Sequence, residues 1–250
     1  MKIAWEERGS GSPLLLIQGL GYARWSWEPI VPALAERRCV LFFDNRGIGE
    51  SDKPVGPYTA RQMADDALQV LDEAGVERAD VLGASLGGMI AQELAVAAPE
   101  RVGKLVLCCT HPGVQHGLPM PQVTVDLFQE AATLEPEVAL RRFVENALGS
   151  GAPAALVDDL TARRLANPPD PVGWQGQAAA GTTFLGVDGA IDKPTLLVTG
   201  TADNVVDPRN SDVLASRIFG ARVERLDGLG HLFFWEDAER FVSIVEEFLG

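Results

Sequence analysis

The sequence predicts an α/β fold: a mostly parallel sheet of about eight strands, helices on both faces, and a small helical insert. Three observations carry that prediction. Short continuous apolar runs, such as Leu14–Ile17 and Thr195–Thr199, have the pattern of strands buried on both faces. Helical runs alternate with these strands, which is the chain order of a parallel sheet with crossover helices. Strand character then disappears from residue 112 to residue 191 and resumes afterwards. The expected organisation is a core of residues 1–111 and 192–250 with a helical lid, residues 112–191, inserted in it.

Bulk properties narrow the class. With 250 residues, 46% of them hydrophobic, the chain is long enough for one large core. The net charge of −14 and pI near 4.6 predict repulsion from nucleic acids and anionic membranes, so neither is expected as a partner. The stretch Met1-Lys2-Ile3-Ala4-Trp5-Glu6-Glu7-Arg8 lacks the apolar core of a signal peptide, and no apolar run reaches membrane-spanning length. Cys39, Cys108 and Cys109 all lie in apolar runs and read as buried core thiols; an odd count fits a reducing, cytoplasmic setting.

Taken in order, Lys2–Arg8 reads as an edge strand closed by a Gly/Ser/Pro turn. Leu14–Ile17 is the first buried strand, followed by Gln18-Gly19-Leu20-Gly21 and a Trp-rich helix starting near Trp25 or Ser26. Cys39–Phe43 is the next strand, ending in Asp44-Asn45-Arg46-Gly47-Ile48-Gly49. Thr59 to Ala74 is an amphipathic helix, with Met63, Ala64, Ala67, Leu68 and Leu71 at three- and four-residue steps and Gly75 as the stop. Ala79–Leu82 is a strand, Met89 to Ala98 a helix, and Val102–Cys109 a strand. The lid holds short helices around Val123–Thr133, Pro136–Leu148, Ala154–Leu165 and Val172–Ala180. Thr195–Thr199 and Val223–Leu226 are the last strands, and Pro208–Phe219 and Ala238–Leu249 the last helices.

The stretch with the most chemical content is Gly83-Ala84-Ser85-Leu86-Gly87. It fits G-x-S-x-G, a pattern that places a serine on a tight strand-to-helix turn. Residues two before and two after the serine would collide with the neighbouring strand and helix if they carried side chains. The serine stands at the head of a helix, whose free amides favour developing negative charge.

Gly19-x-Gly21 after a strand, with Asp44 ending the next strand, invites a dinucleotide-binding reading. It fails because Arg24 occupies the third glycine position. The histidines His111, His116 and His231 form no metal-ligand spacing, so no metal is expected.

A serine hydroxyl needs a base, and the base needs an acid to hold its tautomer. His231, on the Leu229-Gly230-His231 loop before the terminal helix, is the expected base; His111 adjoins Pro112 at a strand exit and His116 lies in a Gly/Pro-rich loop. Two aspartates compete for the acid role in the loop after Thr195–Thr199. Asp207 precedes Pro208 and a helix and reads as an N-cap, which leaves Asp203 as the orienting acid. The order Ser85, Asp203, His231 is that of one hydrolase class among several with this chemistry.

These motifs, together with Asp44-x-Arg46-Gly47-x-Gly49-x-Ser51, make the sequence resemble the α/β-hydrolase fold enzymes along its whole length. It is most similar to the small bacterial lactonase and esterase branch, such as 3-oxoadipate enol-lactonases and related methyl esterases. That resemblance implies a cofactor-free serine hydrolase with oxyanion donors at the backbone amides of Leu20 and Leu86. Asp44 and Arg46 are expected as loop scaffolding. The family's usual histidine before the first glycine is Gln18 here, a departure that bears on the shape of the oxyanion loop. The expected substrate is a small, largely apolar carboxylic ester or lactone, in a pocket drawn from Tyr22, Trp25, Met89, Phe128, Phe143, Trp174 and Phe184. The triad Ser85, Asp203 and His231 also serves carbon–carbon bond hydrolysis, aminopeptidase or perhydrolase chemistry in the family, and a ligand-binding receptor with a slow triad is a further alternative.

Overall fold

The computed structural model describes residues 1–250. Its seven strands form one sheet: β1 (Trp5–Arg8), β2 (Ser12–Ile17), β3 (Arg38–Phe43), β4 (Ala79–Ala84), β5 (Val102–Cys108), β6 (Thr195–Gly200) and β7 (Arg222–Leu226), in the order β1-β3-β2-β4-β5-β6-β7. Only β1 runs antiparallel; the pairs β2–β3, β2–β4, β4–β5, β5–β6 and β6–β7 are parallel. The strand order reverses between β2 and β4. Crevices of open α/β sheets form at such a reversal, beyond the carboxyl ends of the strands.

The alternation of side chains along each strand divides the core in two. Leu15, Ile17, Leu41, Phe43 and Val81 face α2 (Ala60–Glu73) and α3 (Leu86–Ala97), whereas Leu14, Leu16, Val40, Phe42 and Leu82 face the opposite layer, built partly from α1 (Val31–Leu34) and α10 (Ala238–Leu249). Thr59 caps α2 in a reciprocal capping box with Gln62, which fixes where that helix starts. Arg38 of β3 forks onto Glu246 of α10 through Nε (2.7 Å) and Nη2 (3.2 Å), pinning the last helix to the sheet.

Between β5 and β6 lie four helices, α4 (Gln122–Ala131), α5 (Pro136–Asn146), α6 (Ala154–Ala166) and α7 (Pro171–Thr182). After β6 come α8 (Asn210–Arg217) and, after β7, α9 (Phe233–Glu236). No helix is long and apolar enough to cross a membrane.

Three local expectations change. The first strand is only Trp5–Arg8, because Lys2 and Ala4 spend their amides on the loop residues Asp52 and Ser51. The Trp-rich segment is a single 3-10 turn, Arg24–Trp27, whose Ser26 hydroxyl bonds back to Ala23 O. Helix α3 starts at Leu86, directly after the serine, rather than at Met89.

Candidate active site

Ser85 joins β4 to α3 with φ 57° and ψ −119°, a left-handed backbone that costs an L-residue roughly 1–3 kcal/mol. The flanking glycines make the turn possible. A Cβ on Gly83 would sit 2.3 Å from Gly87 O, and one on Gly87 2.0 Å from Ile17 O. The strained residue is held from the neighbouring strand: Ser85 N–H donates to Cys108 O (2.9 Å) and Thr110 Oγ1 donates to Ser85 O (2.8 Å). The side chain of Ser85 is half-buried.

Asp203 lies just past the end of β6 and His231 past the end of β7. His231 Nδ1 is 2.8 Å from Asp203 Oδ2, and both residues are buried. Asp203 Oδ1 accepts the amides of Val205 (2.7 Å) and Val206 (2.9 Å), so the carboxylate is fixed as an acceptor on both oxygens. An acceptor facing Nδ1 places the proton of a neutral imidazole there and leaves the Nε2 lone pair free. Burial is the largest single influence and disfavours the imidazolium, but the Asp203 carboxylate and the Cys109 sulfur together outweigh it and hold the His231 pKa well above the ordinary histidine value.

The three sequence-predicted residues thus share one sheet edge, but only two of them touch. Asp203 and His231 are hydrogen-bonded, whereas Ser85 Oγ makes no hydrogen bond to His231. In ligand-free enzymes such contacts are commonly long and tighten only around substrate. Asp207 takes no part: it accepts Arg209 N–H (3.0 Å) and pairs with the Arg209 guanidinium, which holds its carboxyl below the usual range. The expected helix cap at Asp207 is instead a local turn, since α8 begins only at Asn210.

The amides of Leu20 and Leu86 donate to no protein acceptor. The loop carrying Leu20 presses on the elbow: a Cβ on Gly19 would lie 3.0 Å from Ser85 Cβ. Gln18, buried, accepts Gly19 N–H with Oε1 (2.8 Å) and donates from Nε2 to Ser26 Oγ (2.6 Å). Asp44 and Arg46 are held in scaffolding contacts. Asp44 accepts the amides of Arg24 (2.7 Å) and Glu50 (2.9 Å), and Arg46 forks onto Asp66.

The aromatic residues divide into two groups. Tyr22 stacks near Trp25 (5.8 Å between centroids), Trp25 meets Trp235 (6.1 Å), and the Trp174 indole packs on Gly21. Met89 and Phe184 are buried in the same core cluster as Leu86. Phe128 and Phe143 pack on each other (5.0 Å) between α4 and α5, with Phe128 44% exposed, a helix-to-helix contact. His111 accepts Gly113 N–H, and burial pushes its pKa down; His116 is exposed.

Two residues around His231 carry no sequence signal for a site role. Cys109, buried and left-handed at φ 41°, lies with Asp203 and His231 so that their donor atoms are all within 4.8 Å of one another. Donors of three kinds from separate loops could hold a cation. The Asp203 oxygens, however, are already filled by two amides and the imidazole, and burial pushes the Cys109 thiol up, away from the thiolate a metal needs. Glu236 accepts Gly230 N–H (2.7 Å) and Gly149 N–H (2.9 Å), tying the His231 loop to the segment between α5 and α6.

A strand–serine–helix elbow at the strand-order reversal, with an aspartate–histidine pair past the last two strands, matches what comparison with other proteins finds. The profile of the alpha/beta hydrolase fold matches residues 12–238. The chain belongs to the α/β-hydrolase fold family. It is 32% identical to RutD of Azorhizobium caulinodans, over 98% of this chain and 94% of that one. It is 31% identical to the 2-hydroxymuconate semialdehyde hydrolase of a Pseudomonas species, over 97% and 88%. Among solved structures, the enol-lactonase of Burkholderia xenovorans superposes with a TM-score of 0.81 at 28% identity, covering 99% of this chain and 96% of that one. These relatives belong to the small bacterial branch of the family and indicate a hydrolase.

Proposed function

We propose that this protein is a serine hydrolase that cleaves a carboxylic ester or lactone of a small, largely apolar substrate through an acyl-enzyme. The observation that carries the proposal is the strained elbow at Ser85 on the same sheet edge as the 2.8 Å Asp203–His231 pair. Strain of this kind persists only where the surroundings enforce it, and it clusters where function needs it.

In this mechanism Ser85 Oγ attacks the carbonyl while His231 Nε2 takes its proton. Asp203 holds the imidazole and stabilises the imidazolium that forms. The amides of Leu20 and Leu86, free of internal acceptors, bind the tetrahedral oxyanion; one such donor is worth roughly 3–4 kcal/mol. His231 then protonates the leaving alkoxide, the Ser85 ester remains, and water activated by His231 releases the acid. In a lactone the leaving alkoxide stays tethered to the acyl group, so one product departs. The four inserted helices form the lid over this edge, and Tyr22, Trp25 and Trp174 line the entrance.

The test is a hydrolysis screen of p-nitrophenyl esters from acetate to octanoate and of lactones of increasing ring size, run beside Ser85→Ala. The proposal expects turnover that the variant lacks. Wild-type rates in Ser85→Ala refute it. Likeness to a 2-hydroxymuconate semialdehyde hydrolase supports a second reading, carbon–carbon bond cleavage by the same three residues. Turnover of a vinylogous 1,5-diketone with no turnover of esters or lactones selects it.

A further inference from the structure

The loop after β2 is anchored peptide by peptide, and the anchors come from unrelated parts of the chain. Gly19 N–H is held by Gln18 Oε1 at 2.8 Å. Gly19 O accepts Tyr22 N–H at 3.4 Å. Gly21 N–H donates to Gln177 Oε1 at 2.9 Å, and Gly21 O accepts Arg164 Nη1. Within residues 19–22, the N–H without an acceptor is that of Leu20. Its direction is therefore set by the groups that fix the peptides on either side.

Two of those groups belong to the inserted helices, Arg164 to α6 and Gln177 to α7. Gln177 is fully buried, and its other amide atom, Nε2, donates to Arg46 O (2.8 Å) in the loop after β3. A buried carboxamide satisfied at both ends is rigid, and losing either partner is costly. It ties three separate elements together: the loop after β2, the loop after β3, and α7. The Arg164 guanidinium also stacks 4.3 Å from the Tyr22 ring, and Trp174 presses on Gly21, whose φ of +72° admits the close approach. No carboxylate pairs with Arg164; its side-chain hydrogen bond is to Gly21 O and its cation–π contact is with Tyr22, both in this loop.

We propose that Gln177 and Arg164 are positioning residues that hold the Leu20 amide in its oxyanion-binding direction, so that the insert builds part of the active site as well as covering it. The inference rests on the serine-hydrolase reading above. Binding of the ground-state carbonyl tolerates a tilted amide. The tetrahedral oxyanion does not, because it needs the donor at hydrogen-bond distance from the new oxygen position.

The test uses Gln177→Met, which keeps the volume and removes both hydrogen bonds, and Arg164→Met at the half-buried anchor. Each is assayed with p-nitrophenyl butyrate, with rates referred to active sites counted by end-point fluorophosphonate labelling. Affinity for an alkyl trifluoromethyl ketone, which adds to the serine as an oxyanion, is measured in parallel. Gln177→Met is expected to lose about tenfold to hundredfold in kcat with KM within about threefold. Ketone affinity falls by the same factor as kcat/KM. Arg164→Met shows the same split with a smaller loss. A structural role alone lowers Tm and the count of active sites, but leaves kcat per site and ketone affinity unchanged; that outcome overturns the proposal. If Gln177→Met does not fold, Arg164→Met with wild-type kcat and ketone affinity overturns it equally. Ser85→Ala serves as the separating control: if it stays active the serine-hydrolase reading has failed, and if it is dead while both Met variants match wild type only this inference has.

Discussion

Ser85 and Cys109, adjacent across the carboxyl ends of β4 and β5, are the two non-glycine residues with a left-handed backbone. Ser85 N–H donates to Cys108 O (2.9 Å), the carbonyl of the peptide that leads into Cys109, so one peptide of the sheet edge links the two strained positions. One carries the proposed nucleophile and the other lies against the proposed base. Strain is thus concentrated where the site is built, at a cost borne by the core on either side.

Relieving that strain should stabilise the protein and silence it. Ser85→Gly removes a penalty of roughly 1–3 kcal/mol while adding about 0.5–1 kcal/mol of backbone entropy cost. Against Ser85→Ala, which keeps the strain, it should be more stable by about 1 kcal/mol in urea denaturation, with both variants inactive. A glycine variant less stable than the alanine variant contradicts the strain assignment.

At Cys109 the same reasoning overrides the order that side-chain volume alone would give. Cys109→Val is close in volume but β-branched, and a branched Cβ is poorly tolerated at φ 41°. It should cost about 2–3 kcal/mol, more than Cys109→Gly, although glycine leaves the larger void. Denaturation midpoints of the two variants decide the order.

The raised His231 pKa fixes the direction of the pH profile. A base must be neutral to accept the Ser85 proton, and the Asp203 carboxylate keeps the imidazole protonated to higher pH than an ordinary histidine. The acid limb of kcat/KM should therefore lie above pH ~6.5 and move down in Asp203→Asn, which also loses most of its activity through the wrong tautomer. By linkage, the stability that the charged pair contributes is present below pH ~6.5 and disappears as pH rises through the folded-state pKa. The wild-type advantage over Asp203→Asn in Tm should shrink in that direction. A limb that stays in place in the variant contradicts the assignment.

Glu236 gives a test of the His231 loop. Its carboxylate accepts two amides, one on each side of the contact between that loop and the insert. Glu236→Gln retains a single acceptor oxygen and turns a donor toward the second amide. It should cost about 1–3 kcal/mol of stability and lower kcat by displacing His231. Thermal melts and kcat on the same preparation check both effects.

The features legible in the sequence are those set by local rules. The apolar runs that became β2 to β6 read as strands because burial on both faces leaves continuous hydrophobic segments. The elbow was readable because Gly83 and Gly87 have no alternative there. Asp203 was separable from Asp207 by helix-cap chemistry, although Asp207 turned out to serve a local turn with Arg209. The supports of the site were not legible. Gln177, Arg164 and Glu236 act on loops distant in sequence, and their residue types are ordinary in surface helices. Cys109 looked like any core thiol, since its backbone conformation and its position beside His231 arise only when β5, β6 and β7 align. Phe128 and Phe143 fit either pocket lining or helix packing from sequence, and in the structure their rings pack on each other at 5.0 Å.

The central claim is that Ser85 is the nucleophile. Its most direct test is a fluorophosphonate reaction followed by intact-mass and peptide mass spectrometry, on wild type and on Ser85→Ala. The account predicts one adduct per chain, located on Ser85, formed in step with loss of ester turnover and absent from the variant. An adduct on another residue, or an unlabelled wild type that still turns over esters, contradicts it.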